Sequence, residues 1–301
     1  MLATIQITWQ NLSDGVALGG LYALMAIGIG LVFGVLRLVN FAYGQLVMAG
    51  AFALAFGTQW GLPKWVSVLF CFGVVLTLSV LMDRLVFRPL RGKSPAVMLV
   101  ATFAVAYLLQ SVALLWFGPL GKSATQFATL NAPWTIGGVL IRQVTVITVV
   151  VTVVCLLALR LLLDHTSVGL HMRAASLDFA TARLLGVRAN RVIGGAVIVS
   201  GVFAAIVAIF LTVTNPQVTP DFALHDTIVV LAGVVLGGLN RPLPATLGGF
   251  AIGFMSGVLG GALPTNQSQY LPAFVFTAVI LVLLVRPNGL FTRGRGAVER
   301  V

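Results

Sequence analysis

Val192-Ile-Gly-Gly-Ala-Val-Ile-Val-Ser-Gly-Val-Phe-Ala-Ala-Ile-Val-Ala-Ile-Phe-Leu-Thr-Val-Thr214 is a run of 23 residues without a charged side chain. As an α-helix it is roughly 35 Å long at 1.5 Å per residue, enough to cross a hydrocarbon core of about 30 Å. Runs of the same kind recur along the chain: Val16–Leu36, Leu46–Trp60, Trp65–Met82, Pro95–Phe117 and Gln143–Leu159 before it, and the charge-free stretch Pro242–Val285 after it. That last stretch holds two crossings if the polar segment Pro264–Gln269 makes the turn. Thr227–Leu239 is too short for an upright crossing and reads as a half-helix or as part of a broken one.

Composition agrees with this pattern. Of 301 residues, 59% are hydrophobic and 8% charged, whereas a soluble domain is about a quarter charged. A water-soluble fold and a lone membrane anchor are both excluded. The expected fold class is all-α: a polytopic transmembrane helical bundle of about eight to nine spans, forming one transmembrane domain over residues 1–301. Met1–Asn11 lacks Lys and Arg, so the positive n-region of a secretory signal is missing and the N-terminus is expected to stay attached.

The net charge of +11 is explained by topology rather than by nucleic acid, because the basic residues gather in gaps between apolar runs and are not interleaved with aromatics. Arg84, Arg88, Arg91 and Lys93 stand against Asp83 in one gap; Arg173, Arg183, Arg188 and Arg191 outweigh Asp164 and Asp178 in the loop at about 160–191; Arg286, Arg293, Arg295 and Arg300 mark the tail. These segments are expected on the cytoplasmic side, and Gly118–Ile141 and Asn215–Asp226 on the other. Nine spans with the N-terminus outside and the C-terminus cytoplasmic satisfy every basic loop. No acidic residue is expected inside a span, which weakens a proton relay.

Several polar or small residues interrupt the apolar runs. Asn40 to Gln45 breaks the helix pattern at membrane depth, where free backbone groups are tolerated only if buried or lining a cavity. Asn40, Tyr43, Gln45 and Gln110 are thus candidate pathway residues; the plainer reading is hydrogen bonding between neighbouring helices. Gly249, Gly253, Gly257 and Gly261 recur every four residues and mark a packing seam, within this subunit or against a second one. In the loop at 160–191, Leu170, Ala174, Leu177, Ala180, Leu184 and Leu185 follow helical spacing, with Arg173, Ser176, Asp178 and Arg183 around them. This is a short amphipathic helix, lying on the membrane or fitting a groove on a cytoplasmic partner.

Chemistry is sparse. Two Gly-Lys-Ser triplets, at Gly92 and Gly121, lack the first glycine of a phosphate loop, where Phe87 and Trp116 stand instead. Cys71 and Cys155 lie apart in apolar runs, and His165, His171 and His225 have no metal spacing. A membrane-embedded enzyme would need a catalytic polar cluster, and none is evident.

Four stretches, in order, resemble the permeases of ABC importers for branched-chain amino acids: Asn40-Phe-Ala-Tyr43-Gly44-Gln45; Gly169 to Val187, closing with Arg191-Val192; Leu236-Gly237-Gly238 to Gly248-Gly249; and Val285-Arg286-Pro287-Asn288-Gly289-Leu290-Phe291. Tyr43 and Gln45 replace the His and the acidic residue common in the family, and Asn240, Arg241, Pro242 and Pro244 replace smaller residues. The resemblance implies a cytoplasmic coupling helix carrying Arg173, Ala174, Asp178, Leu185 and Gly186. It also implies a bacterial inner-membrane location, a second permease subunit, two cytoplasmic ATPase subunits that hold ATP and magnesium, and a periplasmic substrate-binding protein. The cargo implied is a branched-chain amino acid or a related small amino acid or amide. A stand-alone secondary transporter or channel is the alternative.

Overall fold

A computed structural model describes residues 8–36, 39–90, 93–136, 139–177, 189–238, 242–264, 267–286 and 289. Its helices are α1 (Trp9–Leu36), α2 (Tyr43–Gln59), α3 (Lys64–Met82), α4 (Pro95–Phe117), α5 (Gln143–His165), α6 (Ser167–Leu177), α7 (Ala189–Thr214), α8 (Leu224–Gly237), α9 (Pro242–Ala262) and α10 (Leu271–Val285). Seven helices are long and apolar enough to cross a membrane, among the described residues. They correspond, give or take a few end residues, to α1, α3 with its extension, α4, α5, α7, α9 and α10. The polar stretch after Met82 does not end α3: a π-helical turn, Asp83–Phe87, carries it on to Leu90.

At the centre lies α1, packed by α9, α7, α5 and α8. Two kinds of contact hold it. Side-chain hydroxyls donate to its backbone carbonyls: Ser200 Oγ to Gly28 O at 2.9 Å and Thr152 Oγ1 to Gly20 O at 3.1 Å. These bonds satisfy the donors without water, as a membrane interior requires. The second contact is the glycine face of α9. A methyl group on Gly249 would stand 2.5 Å from the Ala26 methyl, on Gly253 2.7 Å from Leu18 O, on Gly257 2.7 Å from Asp14 O, and on Gly261 2.7 Å from Asn11 Oδ1. The four glycines thus run along α1 of the same chain, where the two backbones approach more closely than any side chain allows.

The connections sort to two ends. At one end, β1 (Lys122–Ser123) pairs with β4 (Gln217–Val218), and β2 (Pro133–Ile136) forms a hairpin with β3 (Val139–Arg142). Gln10, near the start of α1, both donates to Leu140 O and accepts from Leu140 N–H, tying α1 to β3. The sequence reading made this region a loop. At the other end, Asp83 bonds Arg88 at 3.1 Å, and Asp164 bonds Arg173 at 2.9 Å and Arg160 at 3.6 Å. A methyl on Gly194, near the start of α7, would stand 3.2 Å from Asp83 Oδ2, so these basic segments share one end.

Of the remaining three helices, α6 lies at the basic end, and α2 and α8 have 17 and 14 residues. Their first turns meet in the interior: a methyl on Gly44 would stand 2.8 Å from Ala223 O. α2 then runs to the hairpin end, where Gln126 donates to Leu62 O just beyond it, and α8 runs towards the basic end. At that end, Gly289 (φ 91°) lies beside Leu236 and Gly238, at the C-terminal end of α8.

Candidate functional site: a junction of two half-helices

Depth is read off α1. Tyr22 stands at its midpoint, roughly 20 Å from either end, and Gly28 about 9 Å further towards Leu36. Beside Gly28 lies the Tyr43 hydroxyl of α2, which a methyl on Gly28 would meet at 2.5 Å. Beside Tyr22 lies Asp226 of α8, whose carboxylate accepts the Tyr22 O–H at 2.7 Å. Both short helices therefore start near the middle of the span, with their N-terminal, electropositive ends together.

Asn40, Tyr43 and Gln45 are all buried, at 3%, 0% and 1% exposure. Asn40 Oδ1 accepts from Ala42 N–H at 3.1 Å, which turns the chain into α2. Tyr43 Oη and Gln45 Oε1 are buried and, among the described residues, have no hydrogen-bond partner. Thr102 Oγ1 of α4 donates to Val39 O at 3.3 Å, and Phe103 packs edge-on against Phe41 at 5.7 Å, closing the junction on the α4 side. Gln110 stands two turns further along α4, half-exposed, and no hydrogen bond joins it to the other three.

Sequence reasoning missed Asp226. It placed this residue at the end of an outer loop and expected no acid inside a span, but α8 begins at Leu224 and carries Asp226 in its first turn to the depth of Tyr22. That expectation is overturned. The cause is geometric: the segment after β4 descends into the bundle, and its depth is fixed by a contact 204 residues away in sequence.

The coupling residues sit at the basic end. α6 turns Gly169, Met172 and Ala175 inward, with Met172 at 1% exposure, while Val168 and Leu170 remain 47% and 58% exposed. Arg173 lies on the outer side in its ion pair with Asp164, and Ala174 is half-buried. Asp178, Leu185 and Gly186 fall outside the described residues. Among the described residues no group of three or more His, Cys, Asp or Glu is placed to hold a metal ion.

Comparison with known proteins follows the same lines. The chain is 28% identical over 308 residues to the high-affinity branched-chain amino acid transport system permease protein BraD of Pseudomonas aeruginosa, covering 97% of each chain. It is 28% identical over 306 residues to the corresponding protein LivH of Escherichia coli, again over 97% of each. A probable branched-chain amino acid transport permease protein LivH of Methanocaldococcus jannaschii is 25% identical over 292 residues, 93% of this chain and 91% of that one. Among solved structures, PsaBC from Streptococcus pneumoniae in complex with Fab gives a TM-score of 0.51 at 13% identity, covering 93% of this chain and 91% of that one. The structure titled "An inward-facing conformation of a putative metal-chelate type ABC transporter" gives 0.50 at 16% identity, covering 95% and 89%. At those identities the likeness is one of fold. The profile of the family described as "Branched-chain amino acid transport system / permease component" matches residues 11–284, from the first turns of α1 to the last of α10, and the chain belongs to that family.

Proposed function

We propose that this chain is the transmembrane permease subunit of a binding-protein-dependent ABC importer that moves branched-chain amino acids, or a related small amino acid or amide, across the bacterial inner membrane. ATP and magnesium are held by two separate cytoplasmic ATPase subunits; a second permease subunit and a periplasmic binding protein complete the assembly. The N-terminus is periplasmic and the C-terminus cytoplasmic. Asn40, Tyr43, Gln45 and Gln110 line or border the pathway, and Arg173, Ala174, Asp178, Leu185 and Gly186 couple it to the ATPases.

The observation that carries this reading is the state of α6. Its inward face is used up on α5 and α7, yet Leu170 stays 58% exposed beside Arg173 at the basic end. An apolar residue with a charged rim on a short helix is what helix-in-groove recognition needs. ATP binding draws the ATPases together, moves α6 and biases the spans between outward-open and inward-open states.

Asp226 favours a second reading, a secondary transporter, because an acidic residue at mid-depth is the part a proton relay requires. Purification of the tagged chain in mild detergent from its native membranes, followed by mass spectrometry, separates the two. Recovery of an ATPase and a related permease in comparable amounts supports the importer; recovery of the chain alone, with uptake into vesicles driven by an ion gradient without ATP, rejects it.

A further inference from the structure

α4 is held to the bundle along one narrow edge. Met98, Thr102, Ala106 and Ala113, at helical spacing, are buried, and beside them the Thr102 hydroxyl and the Phe103 ring reach Val39 O and Phe41 in the turn before α2. Most of the remaining surface is uncovered, and it divides by chemistry. Ala104, Leu108 and Leu115, at i, i+4 and i+11, make an aliphatic side. Phe103, Tyr107, Gln110, Ser111 and Leu114, at i, i+4, i+7, i+8 and i+11, make the other side, which carries a phenol, an amide and a hydroxyl.

The polar side lies deep in the span. α4 runs from Pro95 to Phe117, so Tyr107 stands next to its midpoint and Gln110 about 6 Å from it. Tyr107 is 61% exposed and Gln110 half-exposed, and among the described residues neither side chain makes a hydrogen bond. Hydrocarbon at that depth offers no water to bond them, so facing lipid is costly for both. α5 has the pattern of a lipid-facing helix: Val146, Val150, Val153 and Leu157 are exposed, while Thr148 and Thr152 are turned inward. The exposed Thr77 of α3 bonds back to its own helix, donating to Gly73 O at 2.7 Å; the Tyr107 hydroxyl, at the end of a rigid ring, has no such recourse. What covers Tyr107 and Gln110 must therefore be a membrane-spanning chain that brings hydrogen-bonding groups to the same depth. A lipid tail lacks the groups, and a soluble subunit does not reach them.

We propose that the second permease subunit of the importer packs on the Phe103–Tyr107–Gln110–Ser111 side of α4 and meets it with uncharged hydrogen-bonding side chains, while the Ala104–Leu108–Leu115 side faces lipid. The inference rests on the importer reading and adds to it the face on which the two permeases join. Permeases related by a two-fold axis along the membrane normal bring equal depths together, and amides and hydroxyls both donate and accept, so groups of one kind satisfy each other there. Because Phe103 also packs on Phe41, the seam adjoins the turn that holds Asn40 and leads to Tyr43.

The test is made in native membranes that contain the complete complex. The photoreactive p-benzoylphenylalanine is placed by suppression at Tyr107, where it keeps an aromatic ring, and in separate chains at Ser111 on the same side and at Leu108 on the aliphatic side. After irradiation the tagged chain is purified and its adducts are identified by mass spectrometry; recovery of the ATPase with each variant shows that the complex has assembled, and Ser111 serves if the larger ring at Tyr107 prevents this. The expected result is an adduct with the second permease from Tyr107 and Ser111 at least about fivefold more abundant than from Leu108, since a probe among lipid tails meets no second chain. An equal or larger yield from Leu108 overturns the inference, as do adducts with lipid alone, or none, from both Tyr107 and Ser111; if the ATPase and the second permease are still recovered, the importer stands. Absence of both subunits from the purified unaltered chain overturns the inference and the importer reading together.

Discussion

Gly253 shows how single residues decide the packing. The atoms nearest to an added methyl are backbone: Leu18 O at 2.7 Å and the Gly19 Cα at 2.8 Å, with the Tyr22 Cβ at 2.9 Å. None is the end of a flexible side chain, so α1 and α9 must separate to admit even one carbon. Overpacking costs about 1–3 kcal/mol where side chains can adjust, and here they cannot. Gly253→Val is expected to fall at or beyond the upper end of that range, read as a drop in the thermal midpoint of the detergent-purified protein. Gly73 is the control: it has open space around its Cβ position and faces outward from α3. Gly73→Ala should leave the midpoint unchanged or raise it slightly, since alanine is the better helix former. The spacing of the α9 glycines was legible in the sequence; its partner was not, because a strip without side chains carries no mark of what lies against it. Asp226 is the opposite case, with a partner 204 residues away and nothing in the local sequence to tell a descending loop from an outer one.

Among the elements, α6 gives the sharpest test. The Arg173–Asp164 pair is 2.9 Å long, but its side chains are 47% and 39% exposed, and such a pair contributes little to stability, about 0–1 kcal/mol. Leu170, 58% exposed, packs on little within its own chain. Leu170→Glu should therefore leave folding and yield unaltered. If α6 seats in a groove on the ATPase, the same substitution should reduce ATPase recovery with the chain and lower cargo-stimulated ATP hydrolysis by about tenfold, the effect of losing one anchor residue at an interface. Unaltered hydrolysis would leave α6 as a helix resting on the membrane surface. The long spans were legible because a charge-free run of that length has few alternatives. The β2–β3 hairpin was not recognised, although the alternating burial of Val139–Arg142 follows Gly137-Gly138, a dipeptide that favours two-residue hairpin loops. Its Pro133 and neighbouring polar residues read as loop. α8 fell between the two cases, since its length suggests a half-helix but says nothing about which end meets what; α2 was expected from Leu46–Trp60 to be a full crossing, and its 17 residues start at the interior junction instead.

For the whole molecule, the arrangement of ends makes a prediction about sidedness. The ladders β1–β4 and β2–β3 gather at one end, and the segments bearing Asp83, Arg88, Arg160 and Arg173 at the other. Basic segments stay in the cytoplasm, so Ser123 belongs outside and Arg84 inside. Both are exposed. The native thiols offer little background, because Cys71 and Cys155 are 0% and 8% exposed. In spheroplasts, a membrane-impermeant maleimide should label Ser123→Cys at once and Arg84→Cys only after permeabilisation. The outcome bears on more than orientation. With the basic end inside, α6 would face the ATPases of the proposed importer, and α2 would run from the junction to the outer side while α8 runs from it towards the cytoplasm. Labelling in the opposite sense would put α6 out of reach of ATP, and the coupling role would fail along with the topology. Asp226 would still lie at mid-depth in either orientation, since its position is set by Tyr22 within the bundle and not by the charge of the loops.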